Sequence, residues 1–235
     1  MLVFNTDTFH NGEVSASVSR RYDSSLRQDM AARTRQAVFE VAGRFFVERG
    51  WEGTSMRDIA QAAGCSVETI YARIGNKAAL LKAVIDQAVV GDDAVLTLAD
   101  RPWFGIEGDR PLADRAAELA AVAASIYRRT AHLRRTLDVA AESHAELREL
   151  DTKCRADERI SRAALVSAAA GRPLTEIEAD GIQGIFSNEM YLLLTDRSGW
   201  THEQYQNWAA AMVIRLLDLH EERDHDHRHR SVRPR

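Results

Sequence analysis

Four side chains that could contact a nucleic acid stand close together, at Thr69, Tyr71, Arg73 and Lys77. Arginine can donate two hydrogen bonds to a guanine edge, and a threonine methyl can contact a thymine methyl. Tyrosine hydroxyls and lysine ammonium groups bind phosphate oxygens. Glu68 could accept a hydrogen bond from cytosine, or it could be solvated and only complement a helix dipole. Residues of these types could therefore contact the bases and phosphates of a nucleic acid.

Familiar catalytic motifs are missing from the sequence. It has no Gly-rich phosphate loop, no Gly-x-Ser-x-Gly, no paired cysteine motif and no His-Glu-x-x-His. His225, His227 and His229 could bind Zn²⁺ or Ni²⁺ loosely, but no apolar or hydrogen-bonding neighbours support a site there, so a solvated tail is favoured. We therefore predict that the protein is not an enzyme and needs no cofactor and no metal.

Capping signals define two short helices around the candidate contacts. Ser55 can cap the first helix, with Asp58 three positions later, and Gly64 can end it in a left-handed conformation. Ser66 can cap the second helix, which directs Ile70 inward. A helix, a glycine-containing turn and a second capped helix form the layout of a helix-turn-helix, whose second helix enters the DNA major groove.

A spaced set of small and polar residues accompanies these two helices. Its members are Gly50, Thr54, Ile59, Ala60, Ala63, Gly64, Ser66, Tyr71 and Lys77. In this pattern the segment 33–88 resembles the tetracycline-repressor (TetR) family of transcriptional regulators, although aromatic or His residues and then Phe usually stand where this chain has Ala72-Arg73-Ile74.

The resemblance implies that some of these residues contact DNA phosphates and others contact bases. Tyr71, Lys77 and one of the caps Thr54 or Ser55 are expected to bind phosphates, while the second helix faces the bases. The full set of expected DNA-binding residues is Thr54, Ser55, Ser66, Val67, Glu68, Thr69, Tyr71, Arg73 and Lys77.

Helical periodicity and loop signals predict an all-α chain. Residues 1–28 are polar without a period and are expected to form a flexible arm. Residues 29–91 are expected to form the DNA-binding domain. It consists of a three-helix unit with the helix-turn-helix and, after that unit, a helix over 77–90 that Asn76 caps. Residues 92–219 are expected to form a helical effector-binding and dimerisation domain, and residues 220–235 a charged His/Arg tail.

The second domain is predicted to consist of long antiparallel helices after a Gly- and Pro-rich loop over 91–111. The helix-forming run 112–171 is expected to split near 130–131 and again near 144–145. Thr175 and Glu178 predict the start of a helix over 176–196, and Thr201 and Gln204 predict the start of the last helix.

Composition places limits on the class of protein. The net charge is −4, whereas residues 30–90 alone carry a net +2, which is compatible with a small basic face on an acidic protein. The two cysteines lie far apart in sequence, so we expect reduced thiols and a cytoplasmic protein. No secretory signal and no apolar run long enough for a membrane span are evident.

The second domain carries two further predictions. An apolar stripe along the last helix indicates a homodimer interface formed by Tyr205, Trp208, Met212 and Leu216. Ala-rich stretches leave room for a small-molecule effector between helices, contacted by Tyr127, His132, His144, Asn188 and Tyr191. The expected function is a TetR-like regulator, usually a repressor, that an effector releases from operator DNA. The alternative is a ligand-independent protein that organises DNA.

Overall fold

The computed structural model describes the backbone of residues 13–91 and 110–230, and the side chains of residues 29–91 and 110–218. Throughout these ranges the regular structure is helical, as predicted. The helices are α1 (Glu13–Arg49), α2 (Met56–Ala63), α3 (Val67–Arg73), α4 (Lys77–Val90), α5 (Leu112–Ala141), α6 (Ala145–Ala170), α7 (Glu176–Ile185), α8 (Asn188–Leu192) and α9 (His202–Arg230). A π-helical turn, Leu193–Arg197, follows α8.

The capping residues begin the helices where the sequence predicts. The side chains of Ser55, Ser66 and Asn76 accept hydrogen bonds from backbone N–H groups in the first turns of α2, α3 and α4. Gly64 ends α2 with φ of +69°, a conformation that a residue without Cβ adopts at little cost. The predicted helix-turn-helix is therefore present, and we call the α2–α3 pair the reader.

Both terminal helices are longer than expected. Helix α1 begins at Glu13 rather than at residue 29, and α9 continues to Arg230 rather than ending near residue 219. Extending an existing helix fixes one residue for one hydrogen bond, whereas starting one is costly, so polar segments can continue a helix that packing has already formed. The polar character of residues 13–28 and 220–230 therefore does not end the helices. The segment 92–109 lies outside the described residues, together with the loop predicted there.

Helix α5 is unbroken where a division was predicted near 130–131. The Thr130 hydroxyl donates to the Ile126 carbonyl 3.0 Å away, four residues earlier, and so stays within the helix. Threonine costs a helix only a few tenths of a kcal/mol, which does not end it. The second predicted division is confirmed, because α5 ends at Ala141 and α6 begins at Ala145.

A break that the sequence analysis did not predict interrupts the expected helix over 176–196. Helix α7 ends at Ile185, Phe186 adopts a non-helical conformation, and the Ser187 side chain caps α8 by accepting from the Met190 N–H. Continuous apolar spacing hides this break, since both pieces direct apolar residues to the same core.

Two apolar cores share helix α5. The first, which we call the reader core, joins α1, α2, α3 and α4 to Leu133 and Leu137 of α5. The second core contains Leu119 and Tyr127 of α5 together with residues of α6, α7, α8 and α9. One helix therefore contributes side chains to both cores.

Candidate functional site

Helix α3 is anchored on one side and open on the other. Ile70 is buried in the reader core beside Ile59 of α2. Tyr71, Ala72 and Arg73 follow on the exposed side, with Tyr71 53% exposed. A phenol and a guanidinium therefore project from the helix that a helix-turn-helix places in the major groove.

Polar groups at the start of α3 form hydrogen bonds with one another. The Thr69 N–H donates to Ser66 Oγ over 3.2 Å, and the Ser66 and Thr69 hydroxyls lie 3.0 Å apart. A hydrogen bond from its own backbone N–H, and a second from Ser66, lower the pKa of Glu68. Glu68 thus interacts with the N-terminus of α3, which agrees with the helix-dipole alternative for this residue.

Two of the expected DNA contacts are turned toward the protein. Thr54 is only 1% exposed, and its hydroxyl lies within hydrogen-bond distance of the Phe45 carbonyl (3.0 Å) and the Gly50 carbonyl (2.8 Å). Val67 is half-buried and packs against the reader core. Thr54 therefore fastens the start of α2 to α1, and of the two predicted phosphate-binding caps only Ser55 is exposed.

The Lys77 ammonium is also engaged within the chain. It donates to the Trp51 carbonyl and lies 4.1 Å from the centroid of the Trp51 ring. Burial lowers the pKa of Lys77, and the nearby Glu52 carboxylate partly opposes that effect. The Lys77 side chain thus joins α4 to the loop before α2, and the expected phosphate contact would require it to leave Trp51.

A cavity of about 230 Å³ lies between α5 and α6, and Phe186 is among the residues that line it. Most of its wall is apolar, and α4 reaches it through Val89. Two of the predicted effector contacts, Tyr127 and Asn188, line it. Asn188 Oδ1 is 3.2 Å from the Thr130 hydroxyl, and burial raises the pKa of Tyr127 to about 12.

The other three predicted effector contacts lie elsewhere. Tyr191 packs 6.1 Å from Tyr127, measured between ring centroids, behind the cavity wall. His132 and His144 line a separate surface depression beside Trp51, between α5 and the end of α1 with the loop that follows it. His144 Nε2 lies 3.1 Å from a Glu52 carboxylate oxygen. The prediction of a single site containing both histidines is wrong, because His132 on α5 and His144 just before α6 both line this depression and neither lines the cavity.

Sequence reasoning missed the charged end of this cavity. Arg134 and Arg162 line it together with Asp157 and Glu158. Arg162 donates to Glu158 at 2.6 Å and to Gln183 at 2.9 Å, while Arg134 is only 2% exposed. A signal was present in the sequence, since Arg134 falls among residues with the spacing of a buried helix face, but arginines are common on solvated faces as well.

The predicted dimer stripe divides between core and surface. Tyr205 is fully buried at 0% exposure, and its hydroxyl donates to the Ile185 carbonyl 3.1 Å away. Tyr205 therefore cannot belong to an interface, because it already fills the second core. Trp208, Met212 and Leu216 remain partly exposed along α9, and Leu216 also packs against Gly181 of α7.

The reader coincides with the region that matches a known family. Residues 38–84 match the family model for bacterial regulatory proteins of the tetR family. These residues of the chain are thus similar to the N-terminal region of tetR-family regulatory proteins. The match lies within the segment 33–88 whose sequence pattern resembles the TetR family, and the curated proteins that match are regulators of transcription.

Two named regulators of transcription match over short stretches of the chain. The chain is 36% identical over 55 residues to the HTH-type transcriptional repressor ComR of Escherichia coli, covering 23% of this chain and 26% of ComR. It is 39% identical over 59 residues to the HTH-type transcriptional regulator TtgR of Pseudomonas putida, covering 25% of this chain and 28% of TtgR. The chain thus matches only about a quarter of the length of these curated relatives.

Solved structures share the fold over a larger part of the chain. NalD of Pseudomonas aeruginosa, the secondary repressor of the MexAB-OprM multidrug efflux pump, superposes with a TM-score of 0.58 at 18% identity, covering 80% of this chain and 96% of NalD. A TetR transcriptional regulator from Agrobacterium tumefaciens superposes with a TM-score of 0.52 at 21% identity, covering 79% of this chain and 93% of that protein. At these identities the likeness establishes the fold of both domains.

Two kinds of feature are absent from the described part of the chain. Within it, none of the helices combines the length and the apolar character needed to cross a membrane. No group of three or more His, Cys, Asp or Glu side chains in the same ranges has the spacing of a metal site. Cys65 and Cys154 are both free thiols, and burial raises the pKa of each.

Proposed function

We propose that this TetR-family protein represses transcription by binding operator DNA as a homodimer, and that a small molecule in the α5–α6 cavity releases it. The observation that carries the proposal is the placement of α4, which contributes Leu80 and Leu81 to the reader core and reaches the cavity through Val89 near its C-terminal end. ComR and NalD are each described as repressors, which supports the same direction of regulation.

The DNA-binding part of the proposal rests on the exposed side of α3. Arg73 and Tyr71 project from it, and Ile70 holds the helix against the reader core. In the major groove Arg73 would pair with a guanine, and Tyr71 would reach a phosphate. Two copies related by a two-fold axis would place two α3 helices about one helical turn of DNA apart.

The release part of the proposal rests on contacts at the C-terminal end of α4. Arg129 of α5 donates from Nε to the Ala88 carbonyl at 2.7 Å and from Nη2 to the Val89 carbonyl at 3.1 Å. Val89 also lines the cavity. A molecule that fits the cavity better when α4 is tilted would move the reader, to the extent of its differential affinity for the two positions.

The DNA-binding proposal can be tested with duplexes selected by the purified protein from a random pool. We expect one enriched palindromic sequence, and Arg73→Ala should weaken binding to it by about 1–3 kcal/mol and relax the choice at one position per half-site. Arg159→Ala is the matched control, because Arg159 is an exposed arginine on α6 that pairs with Asp180 away from the reader. Equal losses for both variants would contradict the role of α3.

The same selection separates repression from the ligand-independent alternative. A DNA organiser would enrich many unrelated sequences and would stay bound whatever occupied the cavity. An operator-specific repressor would enrich one sequence and lose it when a cavity ligand binds.

A further inference from the structure

The α5–α6 cavity contains a buried cation with an unused donor. Arg134 lines the cavity, is 2% exposed, and its Nη1 has no hydrogen-bond partner among the described residues. Nearly all buried polar groups in folded proteins are paired, because leaving a buried donor unpaired is costly. Because Arg134 belongs to the cavity wall, its buried, unpaired guanidinium nitrogen indicates a missing acceptor.

The charge of Arg134 is already balanced by protein groups. Its Nη2 donates to Asp151 at 2.9 Å, and its Nε lies 3.2 Å from a Glu158 carboxylate oxygen without being aligned as a hydrogen bond. Asp138 lies further away, at 3.8 Å. Although burial acts in the other direction, hydrogen bonds from Arg155 and Arg134 lower the pKa of Asp151, which keeps that carboxylate charged.

An anionic ligand would meet repulsion at this end of the cavity. Asp157 and Glu158 both belong to the wall, and Arg162 is committed to Glu158 and Gln183. An anionic ligand beside Arg134 would have to compete with the Asp151 and Glu158 carboxylates, which already neutralise its charge. A neutral oxygen acceptor satisfies Nη1 without adding charge.

The remaining wall sets the size and polarity of the ligand. It is built from apolar side chains such as Leu119, Ile126 and Val166, and it encloses about 230 Å³. A cavity of about 150 Å³ with a similar lining accepts benzene. The available room thus suits a ring with a short substituent.

We propose that the cavity binds a neutral, mainly apolar molecule of roughly one ring that carries a carbonyl or similar oxygen, and that Arg134 Nη1 donates to this oxygen. This deepens the effector site of the proposed function and rests on it. Recognition depends on one hydrogen bond inside an apolar enclosure, so discrimination between an acceptor and its hydrocarbon isostere is the expected signature.

The test uses calorimetric titration of the full chain without DNA, with three probes of similar shape. Acetophenone carries the carbonyl, α-methylstyrene replaces its oxygen by CH₂, and benzoate replaces its methyl ketone by an anionic group. We expect acetophenone to bind at least about tenfold more tightly than either of the other two. Equal affinities, tighter binding of benzoate, or no detectable binding of any probe would each overturn the proposal.

Two variants assign the effect to Arg134. Arg134→Lys keeps a cation between Asp151 and Glu158 but removes Nη1, so acetophenone affinity should fall about tenfold while α-methylstyrene affinity stays unchanged. Ala123→Leu narrows the cavity without touching Arg134 and should weaken both neutral probes by a similar factor. If Arg134→Lys does not fold, the ligand class is judged from the wild type and Ala123→Leu. Both should bind acetophenone more tightly than α-methylstyrene, and equal affinities for the two probes would contradict the proposal. A preference that survives in folded Arg134→Lys would contradict the assignment.

The ligand class and the regulatory function can fail separately. Binding of the ligand-free protein to its selected duplex is measured in parallel. Protein that binds DNA but shows no preference for acetophenone overturns only the ligand class, whereas protein that prefers acetophenone but selects no duplex overturns only the regulatory function.

Discussion

The Lys77 ammonium lies over the Trp51 ring, 4.1 Å from its centroid, and donates a hydrogen bond to the carbonyl of the same residue. Trp51 in turn stacks on Phe46 of the reader core, with 6.1 Å between ring centroids. One side chain at the start of α4 therefore holds the loop that leads into the reader. A lysine in the first turn of a helix, which the helix dipole disfavours, has a structural partner here.

Replacing Lys77 should affect stability more than the ionic part of DNA binding. Lys77→Ala removes a cation–π contact and a hydrogen bond, so we expect the free energy of unfolding to fall by about 1 kcal/mol. Lys82→Ala, on the exposed side of α4 and paired only with Asp86 among the ion pairs of the described residues, should change it by less than about 0.5 kcal/mol. Urea titrations measure both.

The salt dependence of DNA binding distinguishes this role from a phosphate contact. With Lys77 held by Trp51, the slope of log affinity against log salt concentration should be the same in Lys77→Ala and wild type. A slope smaller by about one unit would instead assign Lys77 to a phosphate, as the family resemblance implies.

Arg129 should carry part of the coupling between cavity and reader. Arg129→Met removes the donors to the last carbonyls of α4, and Gly91 next to them leaves the space that this guanidinium occupies. We expect acetophenone to bind the variant and the wild type equally well. The decrease in DNA affinity that acetophenone causes in the wild type should be nearly absent in the variant. Couplings of this kind are about 5–150-fold, which a shift assay resolves.

Arg128→Met is the matched control for Arg129, because Arg128 is the adjacent exposed arginine on α5. Its effector response should equal that of the wild type. If both variants lose the response equally, the contact between Arg129 and α4 is not the path of coupling.

The exposed part of α9 should hold two copies together. Met212 is partly exposed on the same helix as Trp208 and Leu216, so Met212→Glu would place a charge in an apolar interface. Light scattering at micromolar concentration should give half the wild-type mass. Ile160→Glu, at a side chain 70% exposed on α6, should leave the mass unchanged. A monomeric wild type would end the dimer proposal.

Glu178 should make the second domain sensitive to acid. Two hydrogen bonds from Arg172, at 2.7 and 3.0 Å, together with the Thr175 N–H, lower its pKa to about 2. Its folded-state pKa is thus below the unfolded value of about 4.3, so the stabilisation is complete above the unfolded value and is lost as pH falls toward 2.

The variant Glu178→Gln isolates this contribution. It should unfold more easily at about pH 7 by on the order of 1–3 kcal/mol and should lose less stability than the wild type between about pH 4.5 and pH 2. Glu176→Gln, on the exposed first turn of the same helix, is the control. Parallel stability curves for wild type and Glu178→Gln over that pH range would contradict the assignment.

Local hydrogen bonding explains which features the sequence alone could predict. Ser55, Ser66, Asn76, Thr175 and Thr201 each accept from a backbone N–H three residues later, and all five caps stand where they were expected. Such contacts depend only on neighbours along the chain. The reader, its turn at Gly64 and the all-helical class follow from them and from apolar spacing.

Contacts between distant segments decided the rest. Periodicity shows that a residue lies on a helix, but not which helix its side chain meets, so it could not distinguish Tyr127 on the cavity wall from Tyr191 behind it or from Tyr205 in the core. Nor could it show that His132 and His144 line a different depression, beside Trp51.

The sequence by itself determined the helices, their starts and the DNA-reading unit, because capping and amphipathic spacing are local properties of the chain. Only the tertiary structure decided that Lys77 contacts Trp51, that α5 enters both cores, and that Arg134 is buried beside Asp151 with Nε and Nη1 lacking hydrogen-bond partners among the described residues. These outcomes depend on the rotation and distance of packed helices, which side chains from many parts of the chain set together.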